Sequence, residues 1–300
     1  MQRFLGLVLL VGGCGGSRAT PDAQVADAQV AARCDPGKPF GAPTALAEIN
    51  SAEDEHTPSL APDELTIYFT SARPGGAGEG DMYLARRSST TAPFGTPVRI
   101  EGVNTAGHDS RPILTGDGLT LYSEVNIGTL EWDIASSTRS ATSGAFTAPA
   151  PVPTLNSASV DVAPFVLPDH SAIYFASARS GDNEIYRAVR TTTGFGTPAL
   201  VAGVNLPGTS QEDYPAVTPD ELVMYFTSDR SGGGGGGPDL WRASRASASE
   251  PFGAPVPLTT LNTAGLETAG WVSADDCSLY FARGTAAGRT FDLHVATRPL

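Results

Sequence analysis

Lysine is almost missing from this chain of 300 residues: Lys38 is the only one. Thirty-two acidic residues stand against 19 basic ones, for a formal net charge of −13. A surface of that sign repels phosphate backbones, which excludes nucleic acid as a partner. No stretch approaches the roughly 18 apolar residues of a membrane-crossing helix. Recognisable catalytic signatures are also lacking. The six glycines at Gly232–Gly237 are not followed by Gly-Lys-Ser/Thr, no Gly-x-Ser-x-Gly elbow occurs, and the four histidines show neither H-x-H nor H-E-x-x-H spacing. Glycine (34) and proline (24) are plentiful instead, with 40% apolar residues. Such a turn-rich yet apolar chain is neither a helical bundle, a coiled coil nor a wholly disordered polymer, and it can bury a sizeable core.

The start of the chain is an address. Arg3 is followed by the short apolar run Phe4 to Val11 and then Gly12-Gly13-Cys14. The run suits a signal peptide and is too short to span. It resembles a bacterial lipoprotein signal with its lipobox, which implies that residues 1–13 are removed and that Cys14 carries the acyl chains. Two or three chains anchor a protein stably, at about 0.8 kcal/mol per buried CH₂. Gly15, where an aspartate is absent, implies the outer membrane. Residues 14–37 are small, polar and repetitive, with DAQV twice, and read as a flexible tether.

From residue 38 to 300 the chain repeats itself. Phenylalanines at Phe40, Phe94, Phe146, Phe195 and Phe252 sit in similar Phe/small/Pro contexts, 54, 52, 49 and 57 residues apart. Ten residues after each stands Asn50, Asn104, Asn156, Asn205 or Asn262. An acid follows (Glu55, Asp109, Asp161, Glu212, Glu267), and three residues later Pro58, Pro112, Pro164, Pro215 or Gly270. Ten further is always a tyrosine: Tyr68, Tyr122, Tyr174, Tyr225, Tyr280. The copies cover about 39–92, 93–145, 146–194, 195–250 and 251–300. Each holds four short strand candidates; in the first they are Thr57 to Leu60, Thr66 to Ser71, Asp81 to Arg86 and Val98 to Glu101. Asp63, Asp117, Asp169, Asp220 and Asp275 occupy the turn between the first two, where a short carboxylate bonds the backbone two residues on. A four-stranded unit of this size cannot bury both faces alone, and radial repetition makes a β-propeller.

The stretch PDELTIYFTSARPGGAGEGDMYLARR resembles the WD40-like repeat of TolB-type β-propellers, on Pro58, Asp63, Tyr68-Phe69, Ser71, Arg73 and Asp81-Met82-Tyr83. Copy 3 matches with Tyr174-Phe175, Ser177 and Arg179. Copy 4 does so with Tyr225-Phe226, Ser228, Arg230 and Asp239-Leu240-Trp241. Copy 2 departs at Ser123-Glu124, and copy 5 has Arg283 two places early. The resemblance implies a periplasmic or surface-exposed binding module whose partners are envelope proteins or peptidoglycan-associated components.

The ring is expected to close on itself. The domain opens with a fourth-strand sequence, Thr44 to Ile49, and ends on a third-strand sequence, Phe291 to Thr297, so the N-terminus supplies the missing strand and the fold is all-β with five blades. Cys34 and Cys277 then fall at the same end of the last blade. A disulfide between them is predicted, two free thiols being the other reading.

Glu55, Asp109, Asp161, Glu212 and Glu267 precede the inner strands, and symmetry places them around one mouth of the channel. Two readings are open: a cation (Ca²⁺) or sugar site on the axis, or carboxylates that accept backbone N–H bonds from neighbouring loops. Their recurrence in every copy favours the structural role, since catalysis needs different residues at different places. Some five-bladed propellers are glycoside hydrolases, and Glu55, Asp109 and Asp161 suit the roles of their carboxylates. His56 and His108 flank two of the acids, read as solvated loop residues with a divalent metal as the rival. Arg73, Arg179 and Arg230 are expected to pair with Asp81, Glu184 and Asp239 or with loop carbonyls. Trp132 and Trp241 read as core, and Trp271 as a plug in the channel. The sequence thus points to a lipid-anchored, non-enzymatic binding or scaffolding propeller; a carbohydrate-binding or glycoside-hydrolysing propeller is the alternative.

Overall fold

The computed structural model describes residues 33–126, 132–206, 208–234, 236–284 and 290–300. The signal, Cys14 and nearly all of the tether lie outside the described residues. What is described is all-β: five sheets of antiparallel strands, arranged as the blades of a propeller. Blade 1 is Glu55–Leu60, Thr66–Ser71, Asp81–Arg86 and Val98–Arg99. Blade 2 is Asp109–Leu114, Thr120–Val125, Asp133–Thr138 and Ala150–Pro151. Blade 3 is Asp161–Val166, Ala172–Ser177, Glu184–Thr191 and Ala199–Leu200, with a short extra hairpin strand, Gly194–Phe195. Blade 4 is Glu212–Val217, Val223–Ser228, Asp239–Ser244 and Val256–Pro257. Blade 5 runs Glu267–Val272, Ser278–Gly284 and Phe291–Thr297, and its outer strand is Thr44–Ala45 from the start of the domain.

The middle strands are apolar on both faces because both faces are covered by neighbouring blades. Tyr174, Phe175, Tyr225, Phe226, Phe69 and Phe281 are completely buried. The outer strands are only two residues long, which leaves little edge for another chain to pair with. The repeated asparagines explain why two residues suffice. Each side-chain amide continues the ladder, its Oδ1 accepting from a third-strand N–H and its Nδ2 donating to the same residue's carbonyl. Asn104 does this to Met82, Asn156 to Ile134, Asn205 to Ile185 and Asn262 to Leu240. Asn50 does it to Leu293, across the closure of the ring. The repeated turn aspartates each accept an N–H from two residues on, at Leu65, Leu119, Ser171, Leu222 and Cys277.

A second arginine repeat, which sequence reading missed, joins the blades. Arg87, Arg139, Arg245 and Arg298 directly follow third strands and Arg190 lies near the end of one, and each guanidinium lies 4.0–5.2 Å over a repeated phenylalanine. Each also reaches the repeated tyrosine of the preceding blade. Arg87 meets Tyr280, Arg139 meets Tyr68, Arg190 meets Tyr122, Arg245 meets Tyr174 and Arg298 meets Tyr225. The chain of contacts runs once around the ring.

Cys34 and Cys277 are joined by a disulfide, their Cα atoms 5.7 Å apart. Beside it Arg33 pairs with Asp275 of blade 5 and Glu64 of blade 1, both at 2.7 Å.

Candidate functional site

Each inner strand begins with its repeated acid and then breaks register. The pairing shifts after His56, Ser110, Val162 and Asp213, and after Ala269 in blade 5. In four blades the residue two places after the acid has a left-handed backbone: Thr57, Arg111, Ala163 and Tyr214, with φ between 52° and 61°. L-residues with side chains rarely sit there, and such bulges re-aim side chains beside functional sites.

The channel has three zones. At the mouth where the inner strands begin, a recess of about 360 Å³ is lined by His56, His108, Glu124, Trp132, Asp213 and Tyr214, among others. Below it Arg111, Pro112, Pro58, Pro164 and Gly270 surround a constriction of about 10 Å³, room for about one water at most. Beyond lies an apolar hollow of about 130 Å³ with Leu60, Ile113, Phe165 and Trp271 on its walls. Trp271, expected to plug the channel, packs edge-on against Tyr280 on this far side and leaves the polar recess open. Gly270 is required where it is, because a Cβ there would meet the Pro58 carbonyl oxygen at 2.4 Å.

The recess concentrates charge. Both Asp213 carboxylate oxygens accept from Asn183 Nδ2, at 3.1 and 3.3 Å. Burial pushes its carboxyl up to about 6, with Asn183 and Arg111 opposing and Glu124 adding to the rise. Glu124 accepts the Ala163 N–H at 2.9 Å. Arg111 is buried beneath, its guanidinium 3.9 Å from the Tyr214 ring. Burial depresses Arg111 and raises the Tyr214 hydroxyl. His56 is lowered by burial and packs 4.4 Å from Phe291. His108 meets Trp132 edge-on at 5.1 Å. Trp132, read as core, is thus a wall of the recess. Both histidines, half-buried, line it too. Among the described residues no three His, Cys, Asp or Glu side chains come together in a metal-binding group.

Asp213 makes this site costly at neutral pH. Its folded-state carboxyl holds a proton more tightly than an unfolded one, whose value is about 3.9. Its contribution to stability is complete below that value and disappears as pH rises through 6. Asp213→Asn is therefore expected to raise stability at pH 7 by about 1–2 kcal/mol while changing little at pH 4. Urea unfolding at the two pH values checks this; equal shifts at both would refute it.

None of the five repeated acids lines the recess. All are fully buried, and their carboxylates bond within their own blades. Glu55 accepts from Ser51 N–H and Oγ, Ser71 Oγ and Arg73. Asp161 accepts from Ser157 N–H and Oγ and from Arg179. Glu212 takes Leu206 N–H, Ser210, Ser228 and Arg230. Glu267 takes Thr263 N–H and Oγ1 and Arg283. Asp109 receives Thr105 N–H and no arginine. The arginines therefore choose the inner acid over the third-strand acids that the sequence suggested. They also bond the loop carbonyls of Ile49, Leu155, Val204 and Leu261. Arg283 reaches the equivalent partners although it sits two places early. Asp81 is occupied by the N–H groups of Ala77 and Gly78, and Glu184 by Ser180 Oγ.

The architecture is that of a five-bladed β-propeller, and comparison with known proteins agrees. No family model matches the sequence, and no curated protein does. Solved structures do. A protein described as TolB from Agrobacterium tumefaciens is 16% identical over 82% of this chain and 77% of its own, with TM-score 0.50. An endo-arabinase from Bacteroides thetaiotaomicron is 13% identical over 87% and 98%, with TM-score 0.57. An α-L-arabinofuranosidase from Podospora anserina is 12% identical over 88% and 98%, with TM-score 0.55. At such identities the likeness is one of fold.

Proposed function

We propose that this chain is a lipid-anchored propeller of the bacterial cell envelope that binds a polyhydroxylated ligand, a saccharide or a saccharide-bearing cell-wall component, in the polar mouth of its channel. The observation that carries the reading is a division between repeated and unrepeated residues. The repeated acids, asparagines, tyrosines and aspartates spend their polar atoms on the fold, Asp109 Oδ1 excepted. His56, Arg111, Glu124, Trp132, Asp213 and Tyr214 recur in no other blade, and they gather at one recess. Carboxylates and an amide bond vicinal hydroxyls, and an aromatic wall covers the apolar face of a sugar ring. The envelope address rests on the leader sequence and on the disulfide, which belongs to oxidising compartments. Envelope proteins or peptidoglycan-associated components would meet the protein at this mouth.

The test is calorimetric titration of the purified protein with muropeptides and with neutral oligosaccharides. Binding weakened about tenfold or more by Glu124→Gln and by Trp132→Ala is expected. Binding indifferent to both, or none to any saccharide, would overturn the proposal. Hydrolysis is the second reading, favoured by one specific observation: Asp213, pushed up to about 6, shares the recess with a second carboxylate, Glu124. Release of reducing sugar that disappears in Asp213→Asn would select it.

A further inference from the structure

Blade 2 differs from its four siblings in several places at once, and the differences fall on one face. In blade 1 the Arg73 guanidinium lies over Phe69 and Tyr83, at 5.4 and 5.0 Å. Arg179 covers Phe175 and Tyr186 in blade 3, and Arg230 covers Phe226 and Trp241 in blade 4. Arg283 covers Phe281 in blade 5. In all four the guanidinium also fills one place between the buried inner acid and a loop carbonyl just before the repeated asparagine.

Blade 2 keeps the inner acid and the loop carbonyl but lacks the guanidinium and the aromatic residues beneath it. Ser123 stands at the phenylalanine position and pairs with Ala135, where blade 1 pairs Phe69 with Tyr83. Val125 faces Asp109 in the register at which Arg283 faces Glu267. Residues 126–131 contain no arginine. Asp109 is left with no solvent exposure and no guanidinium. Its Oδ1 has no hydrogen-bond partner among the described residues, and neither do Ser123 Oγ and Ser137 Oγ on the same face. Burial raises the Asp109 carboxyl, against the Thr105 N–H and hydroxyl. A buried carboxylate oxygen without a partner is expensive. The other blades show what the position holds: a positive charge between that oxygen and the carbonyl equivalent to Val103.

We propose that blade 2 binds a hard, oxygen-seeking cation between Asp109 Oδ1 and the Val103 carbonyl, in the place that arginine takes in the other four blades. The donor set is one carboxylate and a neutral carbonyl, to be completed by water. Ca²⁺ suits it better than Mg²⁺, since Ca²⁺ tolerates irregular oxygen shells and Mg²⁺ demands a near-ideal octahedron. Asp109 lies between His108 and Ser110, both walls of the recess. The site nevertheless stands independently of what the recess binds.

The test uses the full chain, stripped with EDTA and dialysed. CaCl₂ at millimolar concentration is expected to raise Tm by about 3–5 °C, with a Kd of about 10⁻⁴ M by calorimetry. A parallel arm compares NaCl with choline chloride at equal ionic strength; a rise with NaCl alone assigns the same site to a monovalent ion. Asp109→Asn should abolish the response. Val125→Arg, which places a guanidinium at the register of Arg283, should make the protein as stable without cation as the parent is with it. A Tm insensitive to both salts would overturn the proposal. So would a calcium response retained in full by both Asp109→Asn and Val125→Arg.

Discussion

Replacing Cys34 and Cys277 together by serine is expected to cost about 5 kcal/mol of unfolding free energy and about 10 °C in Tm. The two half-cystines are 243 residues apart, so the bridge closes almost the whole described domain and restricts the unfolded chain strongly. Side chains carry much of the rest of the junction, with Asn50 bonded to Leu293 and Arg298 lying over Phe40. The N-terminal strand is two residues long and pairs only Thr44 with Val295 and Ala45 with His294. Single backbone bonds, Asp35 to Pro299 and Gly41 to Thr297, flank it. Arg33 adds its ion pairs, and its hydrogen bond holds the Asp275 carboxyl down to about 2. That contribution is present above the ordinary carboxylate value near 4 and is lost as pH falls from there toward 2. Urea unfolding with and without reductant, at pH 7, measures the effect. Hydrogen exchange should show residues 44–50 and 291–297 opening first in the serine variant. A midpoint unmoved by reduction would contradict the prediction.

Arg298→Ala should be nearly as damaging, at about 3–5 kcal/mol. Arg298 is buried at the seam between blades 4 and 5, where three parts of the chain meet. Its Nε donates to the Asp276 carbonyl at 2.8 Å, Nη2 to the Tyr225 hydroxyl at 2.7 Å, and Nη1 to the Lys38 carbonyl. Its plane covers Phe40 at 4.0 Å. Tyr225 in turn donates to Asp276 at 2.5 Å. Removing the guanidinium leaves the buried Tyr225 hydroxyl without its donor and Asp276 with only Arg242, at 3.5 Å, as a counter-charge. Lysine offers a point charge and no fork, so Arg298→Lys should recover less than half of the loss. A double-mutant cycle with Tyr225→Phe checks that the energy lies in the seam. A loss below about 1 kcal/mol for Arg298→Ala would show that the seam is not what holds these blades.

Legibility followed the range of the interactions. The turn aspartates were readable because Asp63 and Leu65 are two residues apart, and their bond needs no tertiary context. The asparagines were visible as a spacing, but their role was not, because Asn104 acts on Met82, 22 residues away. The arginine seam escaped notice for a related reason. Arg87, Arg139 and Arg245 each stand seven residues before a repeated phenylalanine, but Arg190 stands five before, and the partner of Arg298 is Phe40 at the other end of the domain. The partners of Arg73 were misjudged since Glu55, Ser71 and Asp81 form one row across three strands. Only the folded loop shows that backbone N–H groups already occupy Asp81. The site itself was the least readable. The recess is built from residues that do not repeat, and Glu124 stands in the sequence only as a departure of copy 2 from the shared pattern.

By itself, then, the chain's periodicity determined the blade count, the strand order and the closure of the ring, because a fixed spacing of strand, turn and proline leaves one economical way to bury every apolar face. Tertiary structure alone decided where function gathers. Side chains from Glu124, on the second strand of blade 2, and Asp213, on the inner strand of blade 4, are 89 positions apart and share a mouth only because separate blades converge on one axis. No spacing along a sequence encodes a convergence that arises from rotation about that axis.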